Sequence, residues 1–236
     1  MGRMLARFVV LALATALVAN ACGGEFLTPT SPGEVGVGVT IGGRPPVPAP
    51  VPAPTPTGPV MASPPAGVSS GVWRVAFSSD GRMRRPDAVH IVLPSDTDEV
   101  TKTLFASVVG KVIGFIEGKT PMDLVASPFS IGNFPVTVVP SLLCGGEAAS
   151  ACNTLNYNSV GKVVGGKIEF ATTEYMHDEV IVMHEIFRTL GLTGLSPVPG
   201  IMSPTWVWGQ PRPSDEEQKM LLARYDYPLL SVYAPQ

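Results

Sequence analysis

The 236-residue sequence has few of the side chains that most often bind metals, with only three cysteines and three histidines. No histidine lies close enough in sequence to two of the cysteines to complete a four-ligand structural zinc site. Charged residues are also scarce at 15%, and the formal net charge is only −3. No basic patch is interleaved with aromatic residues, so neither nucleic acid nor an anionic membrane surface is indicated as an electrostatic partner.

Long apolar runs are absent except at the N-terminus. There, FVVLALATALVA follows Arg3 and Arg7 and leads into the small residues Ala19-Asn20-Ala21. A positive start, a short apolar run and a small-residue cleavage site are typical of a secretory signal peptide, and the run is too short to span a bilayer comfortably. We therefore predict that residues 1–21 are a signal peptide and that the protein is exported to a bacterial cell envelope.

The three cysteines are predicted to have two different roles. Cleavage leaves Cys22 as the first residue, and VANAC followed by two glycines resembles a bacterial lipoprotein signal, in which this cysteine carries the lipid. Because exported proteins meet an oxidising compartment, Cys144 and Cys152 are predicted to form a disulfide across CGGEAASAC. Cys22 is then the odd cysteine, which a lipid anchor explains; secretion without an anchor is the alternative.

Proline is abundant rather than scarce, with 25 residues, and most of the excess lies in RPPVPAPVPAPTPTGPVMASPPAG. Proline fixes φ and lacks an N–H, so this segment favours extended polyproline II. We predict that residues 22–70 form a semi-rigid tether between the membrane and a folded domain at 71–236. A polyproline ligand for a partner domain is the alternative for this segment.

Beyond the tether, the apolar pattern predicts a mixed α/β domain. One helix is expected to start near Asp96 and Glu99 and to end at Gly118, and a second to run from Asp178 to Gly191. Gly165-Gly166 indicates a tight turn or a bulge before the last strand. The predicted strands have β-branched or alternating apolar residues and lie at 72–79, 88–94, 121–127, 134–141 and 167–173.

The second predicted helix carries MHEIFRTLGLTG at residues 183–194. His184 and Glu185 open it like a zinc-binding HExxH helix, in which histidines at i and i+4 lie on one face and converge on one ion. The glutamate of such a helix acts as base toward the metal-bound water. Here the i+4 position holds Arg188.

HEIFRTLGLTG resembles the metzincin pattern HExxHxxGxxH, and the resemblance continues downstream. Gly191 stands at the glycine of the pattern, and GIMSP resembles the Met-turn, with Met202 as its methionine. PSDEEQKMLLARYDYP resembles the C-terminal helix of the matrixin branch. The resemblance implies a zincin domain with a mixed sheet, a long packing helix, an active-site-type helix, a Met-turn and a C-terminal helix.

The departures from this pattern fall on the zinc ligands. Arg188 replaces the second histidine and Gly194 the third, so His184 is the only ligand left. Arginine offers donors only and glycine has no side chain, so neither ligates zinc. His177 would lie about 10.5 Å along a helix from His184, too far for easy convergence on one ion. His90 falls in a predicted strand.

Two functions remain open from the sequence. The first is a pseudopeptidase without catalytic zinc that binds a peptide or protein partner. Trp206 and Trp208 are candidate residues of that binding surface, and packing in the core is the alternative for them. In this pseudopeptidase, Arg188 occupies the former zinc position and forms an i,i+3 ion pair with Glu185. The second is an active zinc-dependent endopeptidase with an unusual ligand set, in which His184 binds the metal and Glu185 is the general base. A resemblance that is accidental, with a different α/β fold, is the third possibility.

Overall fold

The computed structural model describes residues 58–125, 133–203 and 212–234. The predicted signal peptide, Cys22, most of the predicted tether, Trp206 and Trp208 lie outside these ranges. Within them, no helix combines the length and apolar character needed to cross a membrane.

A mostly parallel sheet forms the centre of the fold. Its six strands are β2 (Arg85–Pro86), β3 (Val89–Val92), β4 (Met122–Val125), β5 (Asn133–Val138), β8 (Ala151–Tyr157) and β9 (Lys162–Phe170). Five of them lie in the order β2-β9-β5-β3-β4, and all these pairings are parallel. The sixth strand, β8, pairs with β9 in the antiparallel direction. The predicted mixed α/β class is therefore confirmed.

Four helices and two short sheets complete the described fold. The helices are α1 (Ser70–Arg74), α2 (Glu99–Phe115), α3 (Glu179–Thr189) and α4 (Asp215–Ala223). The hairpin of β6 (Leu143–Cys144) and β7 (Glu147–Ala148) is antiparallel, and β1 (Met61–Ala62) pairs in parallel with β10 (Val232–Tyr233). Short 3-10 helices precede α3 at Thr173–His177 and follow α4 at Arg224–Asp226.

The long helix α2 starts two residues later than the cap predicted at Asp96. Asp98 is the N-cap, and its carboxylate accepts the backbone N–H of Thr101. The apolar face includes Phe105, Val108 and Val112, which are fully buried. Gly118 follows the helix with φ +66°, a conformation that favours glycine, so the predicted stop is confirmed.

The strand predicted at 72–79 is wrong, because residues 70–74 form α1. Val72, Trp73 and Ala76 are all fully buried, and their i, i+1, i+4 spacing fits one face of a helical turn. The Trp73 indole N–H donates to the carbonyl of Ala62 at 3.0 Å. The alternating pattern of a strand and the apolar stripe of a short helix are hard to separate over so few residues.

The domain also begins earlier than the boundary predicted at Gly71. Ala62 is fully buried, and the pairing of β1 with β10 joins this segment to the C-terminal end of the domain. Proline is tolerated beside a two-residue edge strand, so the proline-rich composition of the predicted tether did not mark where the folded domain begins.

The glycine pair before the last predicted strand lies inside β9 rather than at a turn. Asn156 pairs with Gly165, and Tyr157 pairs with Val163, so Val164 is the extra residue of a β-bulge. A Cβ at Gly166 would lie 1.9 Å from the carbonyl oxygen of Thr154, so only glycine fits there. The bulge alternative is therefore confirmed.

The predicted Cys144–Cys152 disulfide is present. It joins the β6–β7 hairpin to β8, and both sulfur-bearing side chains are buried together with Leu142. The strand β8 itself was not predicted, although it lies directly against α3.

Candidate functional site

Helix α3 has clear start and stop signals. The Asp178 carboxylate accepts the backbone N–H groups of Val180 and Ile181. Gly191 follows the helix at φ +90°, and a Cβ there would lie 2.3 Å from the carbonyl oxygen of Arg84. Both predicted ends of the helix are confirmed, and they hold His184, Glu185 and Arg188 along its buried face.

His184 contacts the loop that carries Met202. Its Nδ1 donates to the Ile201 carbonyl at 2.8 Å, which places the lone pair of the neutral ring on Nε2. Ile201 and Met202 are themselves buried, and the Met202 carbonyl accepts the N–H of Ser196 at 2.6 Å. The loop is therefore folded tightly against the helix at His184.

A buried carboxylate from the C-terminal helix holds the same loop. Glu217 is fully buried, and its carboxylate accepts the N–H groups of Ile201 at 3.0 Å and Met202 at 2.8 Å. It also accepts the N–H of Ser214 at 2.8 Å, while the Ser214 hydroxyl caps α4. A Cβ at Gly200 would lie 1.8 Å from this carboxylate. Burial raises the pKa of Glu217 despite these hydrogen bonds, which oppose the rise.

His184 and Glu185 are both only 3% exposed, and Arg188 is 6% exposed. Burial, and secondly the positive charge of Arg188, lower the pKa of His184 to about 3. Burial raises the pKa of Glu185 to about 7, and Arg188 opposes that rise only in part. The histidine is therefore neutral at pH 7, and the glutamic acid is near its midpoint of ionisation.

The predicted i,i+3 ion pair between Glu185 and Arg188 does not form within 4 Å. Arg188 Nη1 instead lies 3.4 Å from the carbonyl oxygen of Thr193, so its side chain extends toward the loop after the helix. Glu185 Oε2 is buried without a hydrogen-bond partner. The positive charge of Arg188 therefore opposes the rise in the pKa of Glu185 without an ion pair between the two side chains, and it also lowers the pKa of His184.

The residues at this site do not fit a zinc ion. Arg188 stands at the second ligand position, and a Cβ at Gly194 would lie 3.2 Å from the Cα of Val75, which leaves little room for a side chain there. Within residues 58–125, 133–203 and 212–234, no group of three or more histidine, cysteine or acidic residues could hold a metal ion.

The other candidate ligands make contacts elsewhere. His177 lies before α3 rather than on it, and its Nε2 is 2.7 Å from Thr101 Oγ1. His90 lies on β3 beside Asp123, and Glu179 contacts Lys111 of α2. The sequence-derived distance of His177 along a common helix therefore does not apply, because the helix begins at Glu179.

Arg224 is a second buried cation that sequence analysis did not identify. Its Nη2 donates to the carbonyl of Leu190 at 2.9 Å and to that of Arg84 at 2.5 Å. Burial lowers its pKa to about 10, so it remains charged at pH 7. A cation at Leu190 complements the negative end of the α3 dipole.

A cavity of about 240 Å³ lies beside the Met202 loop. The start of α3 contributes Val180, the loop contributes Gly200 and Ile201, and the start of α4 contributes Ser214 and Asp215. Arg212 also lines it. The cavity is therefore bounded by the same elements that enclose His184.

Strand β8 approaches α3 from the sheet side. The buried Asn153 side chain donates to the backbone carbonyl of Glu185 at 3.0 Å. Among the described residues, β9 is the only strand that pairs with β8. Its other edge therefore has main-chain groups that no described strand satisfies.

No protein-family model matches the chain, and no curated protein resembles it at a significant level.

Proposed function

We propose that the chain is an exported, membrane-tethered lipoprotein with a metzincin-like domain that lacks catalytic zinc and acts by binding a peptide or protein partner. The observation that carries this proposal is the buried arginine at position 188. It places a fixed positive charge next to His184 and Glu185, where the resemblance requires a second metal ligand.

The order of elements supports the metzincin resemblance. A mostly parallel sheet with the long helix α2 precedes α3, and Gly191 follows α3. The loop with Met202 then contacts His184 through Ile201, and the C-terminal helix α4 follows with its Ser214 cap. These elements occur in the sequence order that the resemblance implies.

The state of Glu185 argues against catalysis. A general base needs access to water and substrate, whereas this side chain is 3% exposed. A metal would activate that water, but the remaining ligand set of one histidine is too small to hold zinc. In the proposed role, Arg188 stabilises the ionised form of Glu185 and keeps His184 neutral.

Two features support binding of an extended segment. The edge of β8 that pairs with no described strand offers main-chain hydrogen bonds to an added strand, a common mode of peptide recognition. The cavity beside Ile201 offers a pocket for a side chain, with Val180 as an apolar wall and Arg212 and Asp215 as polar groups. Affinity would come from the strand edge and selectivity from the cavity.

The proposal is tested on the full chain produced in bacteria fed labelled palmitate. We expect label on the wild-type protein and none on Cys22→Ser. The purified protein should leave casein intact, with or without a chelator. Absence of label from the wild type would disprove the anchor, and casein cleavage that a chelator abolishes would establish the active zinc endopeptidase instead.

A further inference from the structure

A second cleft lies at the carboxyl ends of the parallel strands. Pro94 follows β3, Val138 ends β5 and Thr173 follows β9, and all three line a cavity of about 390 Å³. It shares no lining residue with the cavity beside Met202. In open α/β sheets, ligands bind outside the carboxyl ends of the strands.

Three exposed apolar side chains either line this cleft or are next in sequence to residues that line it. Val138 lines it and is 37% exposed, whereas Met176 lines it from a buried position. Val100, 72% exposed, lies in the first turn of α2 next to Thr101, and Tyr175, 36% exposed, precedes Met176. Together they give the mouth of the cleft an apolar character, which favours an interaction site.

The polar part of the cleft is negatively charged. Asp96 is exposed and forms no hydrogen bond or ion pair with the described part of the chain. The backbone N–H of Thr101, and then its hydroxyl, lower the pKa of Asp98 to about 2, so this carboxylate is ionised at neutral pH. The Asp98 side chain remains 58% exposed.

The neighbouring cation does not neutralise these carboxylates. Lys102 pairs with Glu99 at 2.7 Å on the exposed side of α2. His177 Nε2 lies 3.6 Å from Asp98 Oδ2 and 2.7 Å from Thr101 Oγ1, on the same wall. Asp96 is therefore the group with the most freedom to meet an incoming positive charge.

We infer that this carboxyl-edge cleft binds a segment of a partner protein in which one arginine or lysine is flanked by apolar residues. The cation meets Asp96 and Asp98, and the apolar neighbours pack against Val138 and Met176. A volume of about 390 Å³ is near the lower end for ligand pockets, which suits one side chain and its neighbours rather than a large ligand.

The test uses three fluorescein-labelled pentapeptides and the full chain in a mild detergent, with binding followed by fluorescence anisotropy. The sequences are Gly-Leu-Arg-Leu-Gly, its glutamate analogue Gly-Leu-Glu-Leu-Gly, and Gly-Ser-Arg-Ser-Gly. We expect saturable binding of the first peptide only. Asp96→Asn should weaken it about fivefold, the upper range for a solvent-exposed charge pair.

Asp226→Asn is the matched control, because it removes the same charge from the 3-10 helix that follows α4 and should leave the affinity unchanged. Val138→Thr keeps a β-branched strand residue and tests the apolar wall, where we expect weaker binding. Asp96 is exposed, so Asp96→Asn should unfold at the same urea concentration as the wild type. Binding of the glutamate analogue as tight as that of the arginine peptide, equal losses in the two Asp variants, or no saturable binding would each overturn the inference.

Discussion

Glu217→Ala should lower the free energy of unfolding by about 3–5 kcal/mol, because it leaves buried N–H groups without an acceptor. The buried N–H groups of Ile201 and Met202 and the part-buried N–H of Ser214 depend on this carboxylate. Urea unfolding at pH 7, followed by circular dichroism, measures the loss.

The neighbouring Glu216→Ala serves as the control for this prediction. Glu216 accepts hydrogen bonds from the N–H and hydroxyl of Ser69, but at an exposed position. Glu216→Ala should therefore lower the free energy of unfolding much less than Glu217→Ala does. Equal losses in the two variants would contradict the role assigned to Glu217 in holding the Met202 loop.

The free energies of unfolding of Glu185→Gln and His184→Gln, each taken relative to the wild type, should change with pH in opposite directions. The pKa of Glu185 is raised from its ordinary 4.5 to about 7, so the folded state binds more protons than the unfolded state in that window. Wild-type stability from this group therefore falls as pH rises from 4.5 to 7. Glu185→Gln removes that fall, so the variant should become more stable relative to the wild type as pH rises over this range.

His184 has the reverse sign. Its pKa is lowered from 6.5 to about 3, so the unfolded state binds more protons between these values and stability rises with pH. His184→Gln should therefore lose stability relative to the wild type as pH rises from 3 to 6.5. In the shared window the two contributions oppose each other, and the wild type should show little net slope from this pair.

Urea unfolding measures both effects between pH 4.5 and 6.5, because the two titration windows overlap in this interval. Each variant should diverge from the wild type by about 2–3 kcal/mol across it, in opposite directions, since one pKa unit corresponds to about 1.4 kcal/mol. A loss of packing alone would shift both curves without changing their slopes. If the free energy of unfolding changes with pH in the same way for the wild type and both variants, then neither side chain has the shifted pKa that burial gives it here.

The sequence predicted helix α3 well because its signals are local. Asp178 can cap the helix through its own backbone neighbours, and Gly191 is required by a left-handed conformation. The strands β3, β4, β5 and β9 were also recognisable, since β-branched residues mark buried parallel strands. Their order in the sheet was not predicted, because pairing depends on contacts distant in sequence.

Two segments were predicted wrongly or missed because their local sequence does not determine their structure. The apolar residues of VWRVAFSS at 72–79 fit both an alternating strand and a short helical turn, so their periodicity did not separate the two. Strand β8, with the sequence ACNTLNY, has few β-branched residues and is stabilised by the disulfide and by its long pairing with β9.

At the site, sequence spacing identified His184, Glu185 and Arg188 but not how they interact. An i,i+3 separation permits an ion pair, whereas the fold directs Arg188 toward the carbonyl of Thr193. Glu217 and Arg224 were missed because their partners lie in other elements, and a charged residue in a sequence is normally expected at the surface. Their burial is visible only once the tertiary contacts are known.

We propose that this domain keeps a metallopeptidase-like scaffold in which the charge of Arg188 stands where a metal would be bound. The most direct measurement is the zinc content of the full chain after incubation with zinc and gel filtration, with Arg188→His as the comparison because it restores histidines at i and i+4. We expect no stoichiometric zinc on the wild type and higher retention on the variant. One tightly retained zinc ion per wild-type chain would contradict the account.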